Sequence, residues 1–308
     1  MSRVDRPGAT EPSALRYGAR RVARHLRWLR TEGLARLAEE KRLDPVGRLR
    51  TSAAKRSFRR RQGVPPGTAR PVYVVGLQRS GTNMLLRGLD AAPAIEVRNE
   101  SDRTLFHRYR LRDDATLRQV IAASRHPIVL IKPLCDSHRV DHLLALPGVP
   151  PGRAVWVVRD VDARARSAVA KFGDADLRAL RVIAAGGAAT IWQGGRLSES
   201  SVRLVRSFDL DTMTPPTAAA LFWVLRNRLF FDLGLDRRDD VLLSSYDDSV
   251  AEPEKGMRRL CEFLDFPYDP GLCAHIERRA AHGDRPLEID PAVRRLAAEL
   301  TAQLGAVA

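Results

Sequence analysis

The feature that most constrains this chain is a short β-branched run, Val72-Tyr73-Val74-Val75, which leads through a glycine-bracketed loop into a helical pattern from Thr82 to Leu89. Such a strand–loop–helix directs converging backbone N–H groups at one point and makes an anion site. Four more runs read as strands: Ile95–Arg98, Ile128–Ile131, Ala154–Val158 and Val241–Leu243. Each is followed by a polar turn and, in most cases, by helix-like sequence. Buried strands alternating with helices require a parallel sheet covered on both faces. The expected fold is therefore α/β, a parallel sheet of about five strands flanked by helices. Further helices are expected over Pro216–Leu235, Glu254–Leu264 and Pro291–Leu304.

Charge divides the chain unevenly. The net charge is +15, yet residues 1–70 hold 19 Lys+Arg against 6 Asp+Glu, leaving 33 against 31 for the remainder. In the basic part, Leu15, Ala19, Val22, Leu26, Leu29, Gly33 and Leu37 recur at helical spacing, with arginines on the other faces. A second basic stretch, Val46 to Arg61, precedes a linker-like Val64-Pro65-Pro66-Gly67. The expected division is a basic helical extension with its linker, 1–64, and the α/β domain, 65–308. Such a segment suits an anionic partner, a membrane surface through residues 14–62 or a nucleic acid. No recognisable nucleic-acid module accompanies it, which makes a nucleic-acid-binding protein the weaker reading.

Three cysteines, Cys135, Cys261 and Cys273, show no CxxC spacing, and no histidine has a partner at metal-ligand distance in sequence. A reducing, cytoplasmic setting and no metal are expected. Neither an apolar run of about 18 residues nor a signal-peptide core occurs, so association with the inner face of a membrane would be peripheral.

The loop Gly76-Leu77-Gln78-Arg79-Ser80-Gly81-Thr82-Asn83 has Walker A spacing, making the expected sheet P-loop-like. Thr82, however, stands where the Walker lysine belongs and Asn83 where the Mg²⁺-binding hydroxyl belongs. This disfavours the alternative of a small-molecule kinase, in which Asp160 would act as a Walker B aspartate. The strand Ala154–Val158 then leads into Arg159-Asp160-Val161-Asp162, with Ser167 eight residues after Arg159. Near the end, Val241 to Asp247 and Pro253 to Leu264 form a strand, a Tyr-Asp step and a helix.

These three separated motifs together resemble the sulfotransferases that use 3′-phosphoadenosine-5′-phosphosulfate (PAPS), with Val161 replacing the family's usual proline. The resemblance covers most of residues 71–270. It implies that PAPS is the donor, that Gln78, Arg79, Ser80, Gly81, Thr82 and Asn83 hold its 5′ end, and that Arg159 and Ser167 hold its 3′-phosphate. Lys171, one turn beyond Ser167, and Tyr246 are the further donor contacts it suggests. Within the family the sequence is most similar to the glutamate-base type, such as the tyrosylprotein sulfotransferases. On that likeness Glu100 is the general base, Glu96 its reserve, and Lys132 and Arg79 stabilise charge on the leaving oxygen. The acceptor would be a hydroxyl of a carbohydrate, a lipid or a small molecule.

Overall fold

The computed structural model describes residues 45–279 and 286–307. The helix expected over Leu15–Leu37 lies outside the described residues. A basic helix α1 (Pro45–Gln62) leads into strand β1 (Arg70–Gly76), helix α2 (Thr82–Ala91) and strand β2 (Ile95–Arg98). Helix α3 (Asp114–Ala123) and strands β3 (Ile128–Ile131) and β4 (Arg153–Val158) follow. After β4 come helices α4 (Val161–Phe172) and α5 (Pro215–Asp232), strand β5 (Val241–Ser245), and helices α6 (Pro253–Phe263) and α7 (Pro291–Gly305).

All five strands run parallel, in the order β2-β3-β1-β4-β5. Their residues alternate between two apolar layers. Tyr73, Val75, Val129, Ile131, Ala154 and Trp156 face α3 and α5, whereas Val72, Val74, Ile128, Leu130, Val155 and Val157 face α2 and α6. The chain leaves β1 towards one face and β4 towards the other. A crevice must therefore open between the C-terminal ends of these neighbours, the place where doubly wound sheets bind ligands.

Helix α5 is buried around most of its circumference, from Thr217 to Phe230, which explains why its sequence shows no polar face. Helix α7 packs on it and is tied to α4 by Arg294, whose Nη1 lies 2.8 Å from both carboxylate oxygens of Asp162. Sequence periodicity did not foresee the two-residue hairpin of Phe106–His107 with Arg110–Leu111, nor the run of π and 3₁₀ turns over 183–194. The linker-like stretch is laced to the body: Val64 N–H donates to the Arg125 carbonyl at 3.0 Å and Gly67 N–H to that of Ala122 at 2.8 Å. Among the described residues no helix is long and apolar enough to cross a membrane.

Candidate active site

The phosphate-type loop takes its shape from two glycines that no other residue could replace without strain. Gly76, at φ 120°, lies so close to the Val157 carbonyl of β4 that a side chain would overlap it. Gly81, at φ 89°, caps α2, and a methyl group there would enter the Tyr246 ring. Arg79 also adopts a left-handed conformation, at φ 74°, a strain that clusters at ligand-binding loops. Inside the turn, Ser80 is fully buried and its hydroxyl has no partner. A buried orphan hydroxyl beside first-turn amides suits an incoming anion.

Two supports hold the loop from behind. Ser137 Oγ accepts from Gly76 N–H at 3.0 Å and lies 2.9 Å from the Gly76 carbonyl. Arg164 of α4, wholly buried, donates from Nε to the Gln78 carbonyl at 3.2 Å while its Nη1 bonds Asp176 and the Ala219 carbonyl at 2.8 and 3.0 Å. Sequence reasoning passed over Arg164 because arginine is so abundant here that one more carried no signal. The Gln78 amide donates to Cys135 Sγ at 3.4 Å.

Two groups of polar side chains flank this loop. In the first, Lys132 follows β3, its N–H prolonging the β2–β3 ladder to the Arg98 carbonyl at 3.0 Å. That register brings Lys132 opposite Asn99, next to Glu100, which lies two residues past the end of β2. Lys132 Nζ lies 2.8 Å from Asn83 Oδ1 and 3.0 Å from Glu100 Oε2, and the residue is only 7% exposed. The reserve carboxylate, Glu96, points elsewhere, pairing with Arg98 and accepting from Ser124 Oγ at 2.6 Å.

In the second group, Arg79 Nε donates to Ser167 Oγ at 2.9 Å, and Arg159 Nη1 lies 3.3 Å from the Arg79 carbonyl. The Arg159 guanidinium stacks 4.5 Å above the Tyr246 ring centroid, and its buried Nε has no partner. Among the described residues it has no carboxylate partner either. Trp223 Nε1 donates to the Arg159 carbonyl at 2.9 Å, so this tryptophan fixes the strand end as well as packing the core. Lys171 lies one turn beyond Ser167 on α4, on the same face of that helix. Arg79, expected both among the donor contacts and with Lys132 at the leaving oxygen, here turns its Nε to Ser167 and its carbonyl to Arg159.

Asp160 has a structural duty. Its carboxylate caps α4 by accepting from Ala163 N–H at 2.8 Å, and its own N–H is held by Asp247 Oδ2 at 2.6 Å. Val161 is the first residue of α4, a position where proline is also at home.

Beyond Glu100 the walls are drier. Burial, followed by the Glu100 carboxylate, raises the Cys135 thiol above its usual range. His138, which lies past the end of β3, is buried with Nδ1 unpartnered, and burial followed by Arg226 pushes its pKa down to about 3. Among the described residues no three His, Cys, Asp or Glu side chains are grouped to hold a metal ion.

No protein-family model and no curated protein matches this sequence. Three of the solved structures similar to it are sulfotransferases. The sulfotransferase domain from the curacin biosynthetic pathway is 14% identical over 78% of this chain and 99% of that one, with a TM-score of 0.42. The sulfotransferase domain from the Synechococcus PCC 7002 olefin synthase is 18% identical over 78% and 98%, at 0.37. Sulfotransferase STF9 from Mycobacterium avium is 15% identical over 97% and 98%, at 0.40.

Proposed function

We propose that this protein transfers a sulfuryl group from PAPS to an acceptor hydroxyl, with Glu100 as general base and Lys132 as the cation that meets the leaving oxygen. The observation that carries this reading is the position of Lys132, an ammonium held between Asn83 on the phosphate-type loop and Glu100. Asn83 stands where a nucleotide triphosphatase would present a hydroxyl to Mg²⁺, and its oxygen is given to a lysine instead.

PAPS supplies an activated sulfuryl group on a phosphate whose oxygen leaves as an anion. Two unsatisfied groups support a fit to such a doubly anionic nucleotide: the orphan Ser80 hydroxyl inside the loop, and Arg159, without a counter-ion and with Nε unpartnered. The loop amides and Ser80 would take the 5′ end, while Arg159, Ser167, Arg79 and Lys171 would take the 3′-phosphate. Tyr246, already under the Arg159 guanidinium, would border the adenosine.

Glu100 accepts the acceptor's hydroxyl proton as the new sulfur–oxygen bond forms. Lys132 stays beside the loop to offset the charge left when the bridging sulfur–oxygen bond breaks. At rest the two neutralise each other across 3.0 Å. With PAPS bound, Lys132 would shift its bonding from Glu100 to the leaving oxygen while keeping Asn83, and the Glu100 carboxylate would be free to accept a proton.

The test is a thermal-shift panel in EDTA followed by transfer of labelled sulfate from PAPS into a lysate of hydroxyl-bearing acceptors. Stabilisation by adenosine 3′,5′-bisphosphate without metal and a labelled ester product are expected. Stabilisation by MgATP, with none by the bisphosphate, would overturn the reading and make the protein a kinase.

A further inference from the structure

We propose that the outward face of α1 docks on an anionic lipid bilayer and that docking leaves the candidate active site facing water. This inference is independent of the sulfotransferase reading, because it rests on a surface that the site does not use.

Helix α1 has an inner and an outer face. Inside, Lys55 pairs with Asp90 at 2.5 Å and Phe58 stacks on His126 with ring centroids 5.9 Å apart and planes 7° from parallel. Outside, Leu49, Ala53, Arg56 and Arg60 follow one another at helical spacing, all exposed, with Leu49 at 68%. Arg50, Arg59 and Arg61 are exposed on the flanks, and the helix contains no acidic residue. Each basic residue close to an anionic bilayer strengthens partitioning about fivefold, an attraction that salt screens.

Apolar residues favour a bilayer over a nucleic acid. Leu49 and Ala53 form a short apolar stripe within the arginine face, and the sequence before α1 adds Leu15, Leu26, Leu29 and Leu37. Such a stripe gains free energy at an acyl boundary and does nothing for a phosphate backbone.

Both of these partners of α1 lie at one end of the sheet. Asp90 is at the end of α2, where the chain turns back to start β2, and His126 lies two residues before β3. These mark the N-terminal ends of the strands. Gly76, Glu100, Lys132, Arg159 and Tyr246 all follow the C-terminal ends, on the opposite side. A bilayer against the outer face of α1 thus meets the base of the sheet and leaves the crevice open to solvent.

The experiment is flotation of the full chain with vesicles of phosphatidylglycerol and phosphatidylcholine, or of phosphatidylcholine alone. Binding only to the anionic vesicles is expected, with release at high salt. Arg56→Glu with Arg60→Glu should weaken it by roughly a hundredfold. The same reversal at Arg103, past the C-terminal end of β2, and at Arg203, both exposed, should leave it within about threefold, with melting curves checking the fold. Fluorophores on Leu49→Cys and Ser101→Cys then report orientation, since the native cysteines are buried. Brominated lipid should quench the first and spare the second. Equal binding to neutral vesicles, equal loss in both reversals, retention on duplex DNA without vesicle binding, or equal quenching at both labels would overturn the proposal.

Discussion

At the C-terminal ends of the strands Lys132 is 7% exposed and touches two named oxygens, whereas at the N-terminal ends Arg56 and Arg60 stand in solvent with no acid on their helix. The same kind of charge follows different physics in the two places. A buried cation is directional, is screened little by salt, and leaves a large penalty if its partner is removed. Exposed cations act as a sum, each contributing little, and fade as salt is added. The difference teaches that net charge describes only one end of this molecule; at the other end, position matters.

The sharpest way to break that contrast is Glu100→Gln. The amide is nearly isosteric and cannot take a proton, so turnover should fall by ~10²–10⁴ while adenosine bisphosphate affinity and vesicle binding stay unchanged. Lys132→Ala should also slow transfer, and a donor with a leaving group already stable as an anion should restore it more than it restores Glu100→Gln. Single-turnover transfer from saturating PAPS measures both. Near wild-type turnover in Glu100→Gln would remove the base from its role.

A smaller effect is expected at Arg159. Replacement by alanine should weaken adenosine 3′,5′-bisphosphate by about 1.5–3 kcal/mol, roughly ten- to a hundredfold, and spare adenosine 5′-phosphosulfate, which lacks the 3′-phosphate. Calorimetry over a salt series should show a shallower dependence than vesicle flotation does. If both nucleotides weaken alike, Arg159 supports the loop and does not grip a phosphate.

The smallest effect tests how dry the catalytic end is. His138 is held neutral in the fold, with a pKa near 3 against an ordinary 6.5. Above pH 6.5 both folded and unfolded chains carry it neutral, and its contribution to stability is complete. As pH falls below that value the unfolded chain takes up a proton that the folded chain refuses, so stability declines towards pH 3. Between pH 7 and pH 5 this one group should cost roughly 1–2 kcal/mol. His138→Gln should flatten the decline by that amount in urea titrations, and an unchanged slope would mean that water reaches the ring.

Much of the frame was legible because it depends on local pattern. All five sheet strands, the loop and helix α2 follow from apolar runs and punctuation, whereas Glu100, the carboxylate that meets Lys132, was singled out only by the family resemblance. What escaped was contact at a distance. Nothing near Asn83 in sequence says that its side chain will hold Lys132, 49 residues on, because only the alignment of β1 with β3 makes them neighbours. The direction of Arg79 was equally hidden, since a positive φ turns its side chain away from where a regular backbone would send it. The turns over 183–194 have no single period to read, and Arg164 looked like any other arginine until burial and the Gln78 carbonyl distinguished it.

The clasp of Lys132 by Asn83 has a consequence for supply. A dissociable counter-ion is present only in proportion to its free concentration, and a site that depends on one follows every change in the surrounding salts. A counter-ion built into the polypeptide has no such equilibrium: every folded copy carries it, at fixed stoichiometry. In the role proposed for Lys132, its readiness would be set by folding alone, through the strand pairing that brings residue 132 beside residue 83.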